Sequence, residues 1–145
     1  MNAKISMIAF LVAVAALIGL ISRSELFDPN PITIGLQVLA ALFMFWARLT
    51  FGMRSFHAAA NPTEGGLVTN GPYALVRNPI YAAVILFSWA SVGAHPNLVS
   101  LALRLVITGG MLVRIFFEER ELRAHFKEPY EAYCKRVKRL VPDVF

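Results

Sequence analysis

The chain has a single cysteine, Cys134, among its 145 residues, and only 16% of its residues are charged. One cysteine excludes an internal disulfide and argues against a cysteine-based metal site. The three histidines, His57, His95 and His125, are scattered and lack the spacing of metal ligands, so no metal is expected. Neither a G-x-G-x-x-G run nor a Walker pattern is present, so no Rossmann or P-loop nucleotide site is indicated. The shortage of charge excludes a disordered chain, a coiled coil and a nucleic-acid-binding tail.

What the chain has in excess is apolar residues. They make up 57% of it, and the mean hydropathy is +0.60. A soluble domain holds roughly 45–50% apolar and about 25% charged residues. The excess is clustered in four stretches, Ile5 to Ile21, Ile32 to Phe51, Ile80 to Ala94 and Leu98 to Phe117. A bilayer core of about 30 Å needs roughly 20 apolar residues in a helix. The pattern therefore predicts an all-α integral membrane protein with about four transmembrane helices. Lys4 and Ala13-Val14-Ala15 give the first stretch some features of a signal peptide. The apolar run continues beyond them to Ile21, which favours a retained helix.

The connections carry turn chemistry. Asp28-Pro29-Asn30-Pro31 separates the first two stretches and opens the second, since proline suits a first helical turn. His95-Pro96-Asn97 joins the last two into a tight helical hairpin. The longer middle connection holds Asn61-Pro62, Gly65-Gly66 and Asn70-Gly71-Pro72.

The net charge is +5, and seven of the fourteen basic residues follow Phe117. Arg48, Arg54 and Arg77 flank or occupy the middle loop, whereas the hairpin turn has no Lys or Arg. Basic residues collect on the cytoplasmic side, so both termini are expected there, with no nucleic-acid partner implied and the bacterial inner membrane as the expected location. The tail repeats Leu122, Phe126, Tyr130, Tyr133, Val137 and Val141 at helical steps, an amphipathic pattern interrupted by Pro129. A helix continuing to His125 or Phe126, a turn at Lys127-Glu128 and a C-terminal amphipathic cytoplasmic helix from about Pro129 are expected. Its apolar stripe should lie on the membrane surface or over the middle loop.

Two groups of residues are equipped for chemistry. The loop from Gly65 to Tyr81 combines glycines, prolines, Tyr73, Tyr81 and Arg77 just before a span. On its own it reads equally as a structured turn with interfacial aromatics and a snorkelling Arg77. Arg114, Glu118 and Glu119 stand where the last span leaves the membrane. Arg114 and Glu118 are four apart, which permits a helical salt bridge or, alternatively, a site that holds an anion and a cation or hydroxyl. Arg104 lies deeper and must snorkel or pair. Gly109 and Gly110 permit close helix packing or ligand access.

The segment LVTNGPYALVRNPIY, Leu67 to Tyr81, resembles the signature of the isoprenylcysteine carboxyl methyltransferases and related membrane phospholipid methyltransferases. That signature runs Gly-x-Tyr and then Arg-His-Pro-x-Tyr. The run EERELRAHFKEPYEAYCKRVKRLVP resembles the same family's ending, so the likeness covers Leu67 to Pro142. It implies S-adenosylmethionine as methyl donor. It also implies that Leu67, Val68, Tyr73, Asn78, Pro79, Tyr81 and Glu118 bind that cofactor and that Arg114 faces the methyl acceptor as the catalytic residue. Asn78 stands at the signature histidine, Lys127 at a usual glycine and Lys138 at a frequent proline. The resemblance implies one domain over 1–145: two N-terminal spans (1–51), a cofactor loop (52–79), the hairpin (80–117) and the tail (118–145).

The expected activity is methyl transfer to a hydrophobic or lipid-linked acceptor, such as an isoprenylcysteine carboxylate or a phospholipid, with the lipid bilayer as partner. A carboxylate needs a positive neighbour, Arg114, and an amine a base, Glu118 or Glu119. Two alternatives are an NADPH-dependent sterol-type reductase and a non-catalytic membrane protein of the same fold.

Overall fold

A computed structural model describes residues 2–52 and 66–145. Arg54, His57, the Asn61-Pro62 turn and Gly65 lie outside the described residues. Every regular element among the described residues is helical: α1 (Asn2–Ser22), α2 (Pro31–Phe51), a 3-10 turn (Gly71–Ala74), α3 (Pro79–Trp89), α4 (Leu98–Phe126) and α5 (Glu128–Arg136).

Three of these helices are long and apolar enough to cross a membrane: Lys4–Ser22, Pro31–Phe51 and Leu98–Phe126. The protein is thus an all-α integral membrane protein. The third apolar stretch departs from expectation. It forms a helix of 11 residues, roughly 16 Å at 1.5 Å per residue, short of a bilayer core. The chain turns at Ala90 to Ala94, although those residues are apolar enough to continue.

Arg104 supplies the reason. Its side chain, fully buried, donates to the Ser88 carbonyl (2.8 Å), the Ser91 hydroxyl (2.9 Å), the Glu25 carbonyl (2.9 Å) and the Ser100 hydroxyl. Ser88 lies in the last turn of α3, where carbonyls lack an intrahelical partner. One guanidinium thereby joins the α1–α2 connection, the end of α3 and the start of α4. Arg104 pairs with buried groups and does not snorkel.

Local caps place the other ends. Asn30 accepts from the Ile32 amide ahead of Pro31 in α2, and Asn97 accepts from the Ser100 amide at the start of α4. Gln37 on α2 donates to the Leu26 carbonyl at 2.7 Å.

α1 packs along α4 in antiparallel register. Gly19 meets Leu103 and Ala13 meets Gly110, and Ala13, Ala16, Leu20, Ile107 and Met111 form the buried seam. α2 runs antiparallel to α3, with the Thr33 hydroxyl donating to the Ala90 carbonyl at one end. The start of α1, the end of α2, the start of α3 and the end of α4 therefore share one end of the bundle. The described part of the middle loop, residues 66–78, and the tail gather there.

The two adjacent glycines of α4 separate cleanly. A Cβ at Gly110 would lie 2.8 Å from the Ala9 carbonyl oxygen and 2.9 Å from Ala13 Cβ, whereas Gly109 meets nothing within 4 Å. Gly110 is thus a packing position. Gly110→Ala is expected to destabilise by about 1–3 kcal/mol, because the α1 backbone must move. Gly109→Ala should be neutral or stabilising by up to about 1 kcal/mol. Thermal unfolding of the two variants in one detergent checks this difference.

Candidate functional site

The site is built on the loop that precedes α3. Gly71 holds φ +56°, and a Cβ there would lie 2.9 Å from Thr50 Oγ1, so glycine alone lets the loop lie against the end of α2. The Tyr73 ring packs on Phe51 at 5.6 Å between centroids. From the other side, the Tyr133 hydroxyl of α5 donates to the Tyr73 carbonyl. Burial pushes both hydroxyls above the ordinary tyrosine range, so Tyr73 and Tyr133 are neutral at physiological pH. The apolar stripe of the tail thus covers the loop through Tyr133 and Tyr130, which are 3% and 1% exposed.

Two adjacent acids at the end of α4 face different partners. Glu118 accepts from the Tyr81 hydroxyl of α3 and from Arg114 Nη2 at 3.0 Å, and Arg114 Nε donates to Tyr81 Oη at 3.0 Å. Each member of this triangle touches the other two. The Arg114 guanidinium also lies over the Phe10 ring of α1, 4.9 Å from its centroid.

Glu119, 1% exposed, is held by three side chains. Arg77 donates to it from Nε and Nη2 at 3.2 Å, Arg139 Nη2 at 2.9 Å and Asn78 Nδ2 at 3.0 Å. The backbone follows the same path. The amides of Arg77 and Asn78 donate to the carbonyls of Lys138 and Arg139 (2.7 and 3.1 Å), with a parallel bridge between Val76 and Lys138. The remaining Arg77 donor, Nη1, serves the Val137 and Cys134 carbonyls. Arg77 is therefore a half-buried link between loop and tail and not a snorkelling side chain.

Of the residues singled out in the sequence, Tyr81, Arg114 and Glu118 come together. Tyr73 lies between α2 and α5, and Pro79 is buried at the first turn of α3. Leu67 and Val68 are half-buried in the irregular segment ahead of Gly71. Asn78 points to Glu119 and the Arg139 carbonyl, away from the Tyr81 triangle. Beside the loop opens a cleft of about 280 Å³ lined by Thr69, Ala74, Tyr133, Arg136 and Val137. Among the described residues no group of three or more His, Cys, Asp and Glu is placed to hold a metal. The Glu119 clasp and the place of Phe10 escape sequence reasoning. The clasp leaves no local signal, because Arg77 and Arg139 stand 42 and 20 residues from Glu119.

Lys127 joins α4 to α5 with φ +50°, a conformation that L-residues rarely adopt and glycine adopts freely.

Residues 30–129 match the family model described as phospholipid methyltransferase. The chain is 36% identical over 98 residues to methanethiol S-methyltransferase 2 of Bradyrhizobium diazoefficiens, covering 66% of this chain and 37% of that protein. It is 34% identical over 110 residues to methanethiol S-methyltransferase of Mycobacterium tuberculosis, covering 72% of this chain and 43% of that protein. The chain thus spans less than half the length of these relatives. No solved structure matches it. The chain belongs to the phospholipid methyltransferase family.

Two substitutions test the joints of this site. Glu119→Gln leaves two arginines facing a neutral amide and should cost about 3 kcal/mol. Lys127→Gly relieves the left-handed backbone and should add about 1 kcal/mol. Thermal unfolding in detergent reads both, and the opposite signs make the pair diagnostic.

Proposed function

We propose that this protein is a membrane methyltransferase that takes its methyl group from S-adenosylmethionine and passes it to a small hydrophobic thiol. The observation that carries this reading is the Tyr81–Arg114–Glu118 triangle, at the end of the bundle where the loop and tail meet.

The residues present suit the proposed donor. Thr69 and Arg136 line the cleft beside the loop and offer a hydroxyl and a guanidinium for a carboxylate. Glu118 offers a carboxylate for an ammonium or hydroxyl. Half-buried Leu67 and Val68 supply apolar surface, buried Tyr73 and Pro79 back the loop, and Asn78 holds it through Glu119. When bound, S-adenosylmethionine supplies a methyl group already activated on a sulfonium. The protein is left with alignment, which can lower the barrier by about 7–11 kcal/mol.

Arg114 is the residue assigned to the acceptor. Its guanidinium is already bonded to Glu118 and Tyr81 and covered by Phe10, so an acceptor carboxylate would have to compete with Glu118. A thiol makes no such demand. The proton that the thiol gives up on methylation has an acceptor beside Arg114, the Glu118 carboxylate. The names of both relatives specify methanethiol, in keeping with a thiol acceptor.

The test is transfer of a labelled methyl group from S-adenosylmethionine to methanethiol by the purified protein in lipid vesicles. Arg114→Ala and Glu118→Ala are each expected to lower the rate about 100-fold or more. Unchanged rates in both variants would remove these residues from the site. Label recovered in phosphatidylethanolamine instead would assign the acceptor to the lipid. Thermal stabilisation by NADPH, with none by S-adenosylmethionine, would overturn the methyltransferase reading in favour of a reductase.

A further inference from the structure

We propose that Phe10 of α1 is the lipid-side wall of the acceptor pocket and limits the size of the acceptor. The proposal rests on the thiol-methyltransferase reading for its chemistry, and on a separate contact for its geometry.

The α1–α4 seam is lined by small α1 residues. Ala13 and Ala16 are buried in it, Gly19 meets Leu103, and the Ala9 carbonyl closes on Gly110. Such residues let the two backbones approach closely and leave no opening. One turn further along α4, at Arg114, the neighbouring α1 residue is a phenylalanine.

The ring lies over the guanidinium at 4.9 Å, while the Tyr81 ring of α3 lies 5.9 Å from the same carbon. Arg114 is thus flanked by two aromatic rings and is 7% exposed, while Phe10 itself is 38% exposed. α1 is apolar on its outward side, with Ile8, Leu11 and Val12 exposed. The outer part of the Phe10 ring therefore looks into hydrocarbon, and the inner part covers the polar triangle. Phe10 also lies outside residues 30–129, the segment that matches the family model. A residue of α1 thereby completes the wall of a site whose polar groups belong to α3 and α4.

A wall of this kind acts on size. Each methylene that a hydrophobic pocket accepts or refuses changes kcat/KM by about 10- to 200-fold. Removing the ring opens the triangle to the lipid and makes room for a longer chain.

The test has two arms. In the first, methyl transfer to methanethiol, butanethiol and hexanethiol is compared in the parent protein, Phe10→Ala and Phe10→Leu. The ratio of kcat/KM for hexanethiol to that for methanethiol is expected to rise about tenfold or more in Phe10→Ala, and less in Phe10→Leu. An unchanged ratio overturns the proposal. So does joint loss of thermal stability and of stabilisation by S-adenosylhomocysteine in Phe10→Leu, which would make the ring a structural support.

The second arm needs no turnover. Tyr81→Cys in a Cys134→Ser background is labelled in vesicles with a lipid-soluble N-alkyl maleimide and with a charged, water-soluble maleimide. Adding Phe10→Ala should speed the lipid-soluble reagent about tenfold and leave the charged one unchanged. Equal acceleration of both, or of neither, overturns the wall. If no thiol is methylated by the parent protein, the functional reading falls, and the labelling rates still decide the place of Phe10.

Discussion

The site end of the molecule depends on the charge of Glu119. A carboxylate removed from water is costly unless its lone pairs are occupied by donors. Here Arg77 and Asn78 come from the loop before α3, and Arg139 from the tail after α5. One buried acid thus requires three separate stretches of chain to converge. The loop lies against α2 because Gly71 permits it, but it lies against α4 because Glu119 needs its arginine. The adjacent Glu118 is turned to the other side of α4, toward Tyr81 and Arg114. Two neighbouring acids thereby divide the work. One organises the backbone, and the other closes the triangle with Tyr81 and Arg114.

Arg104 plays the corresponding part at the opposite end. Its acceptors are two hydroxyls and two carbonyls, all neutral. The guanidinium holds the ends of α1, α3 and α4 together, and the bundle is tied at both ends by arginine. Between these ties, small residues along α1 and α4 set the helix spacing. The apolar faces turned outward have hydrocarbon as their solvent.

The sequence disclosed much of this arrangement, because much of it is local. The long apolar runs, the prolines at the starts of α2 and α3 and the four-residue step from Arg114 to Glu118 are all readable along the chain. The break at Lys127 is equally visible, although the strained backbone there is not. What stayed hidden is long-range. Arg77 meets Glu119 across 42 residues, and Arg139 meets it across 20. Nothing in either neighbourhood announces the partner. The early end of α3 was hidden for the same reason: Ala90, Val92 and Ala94 look fit for a span, and the cause lies on α4. Phe10 was hidden likewise: it sits within a long apolar run, and its contact with Arg114 spans 104 positions.

The shortness of α3 also sets a depth. It has 11 residues where α2 has 21, and both meet at one end through Thr33 and Ala90. Counted from that contact at 1.5 Å per residue, α3 begins about 10 Å short of the far end of α2. The loop fills that gap, with Gly71 against Thr50 and Tyr73 against Phe51. The polar triangle is therefore recessed beside the final turns of a membrane-crossing helix. An apolar molecule dissolved in the bilayer meets a recess at that depth by lateral diffusion. The concentration that governs its encounter is the one set by partitioning into lipid, not the dilute one in water.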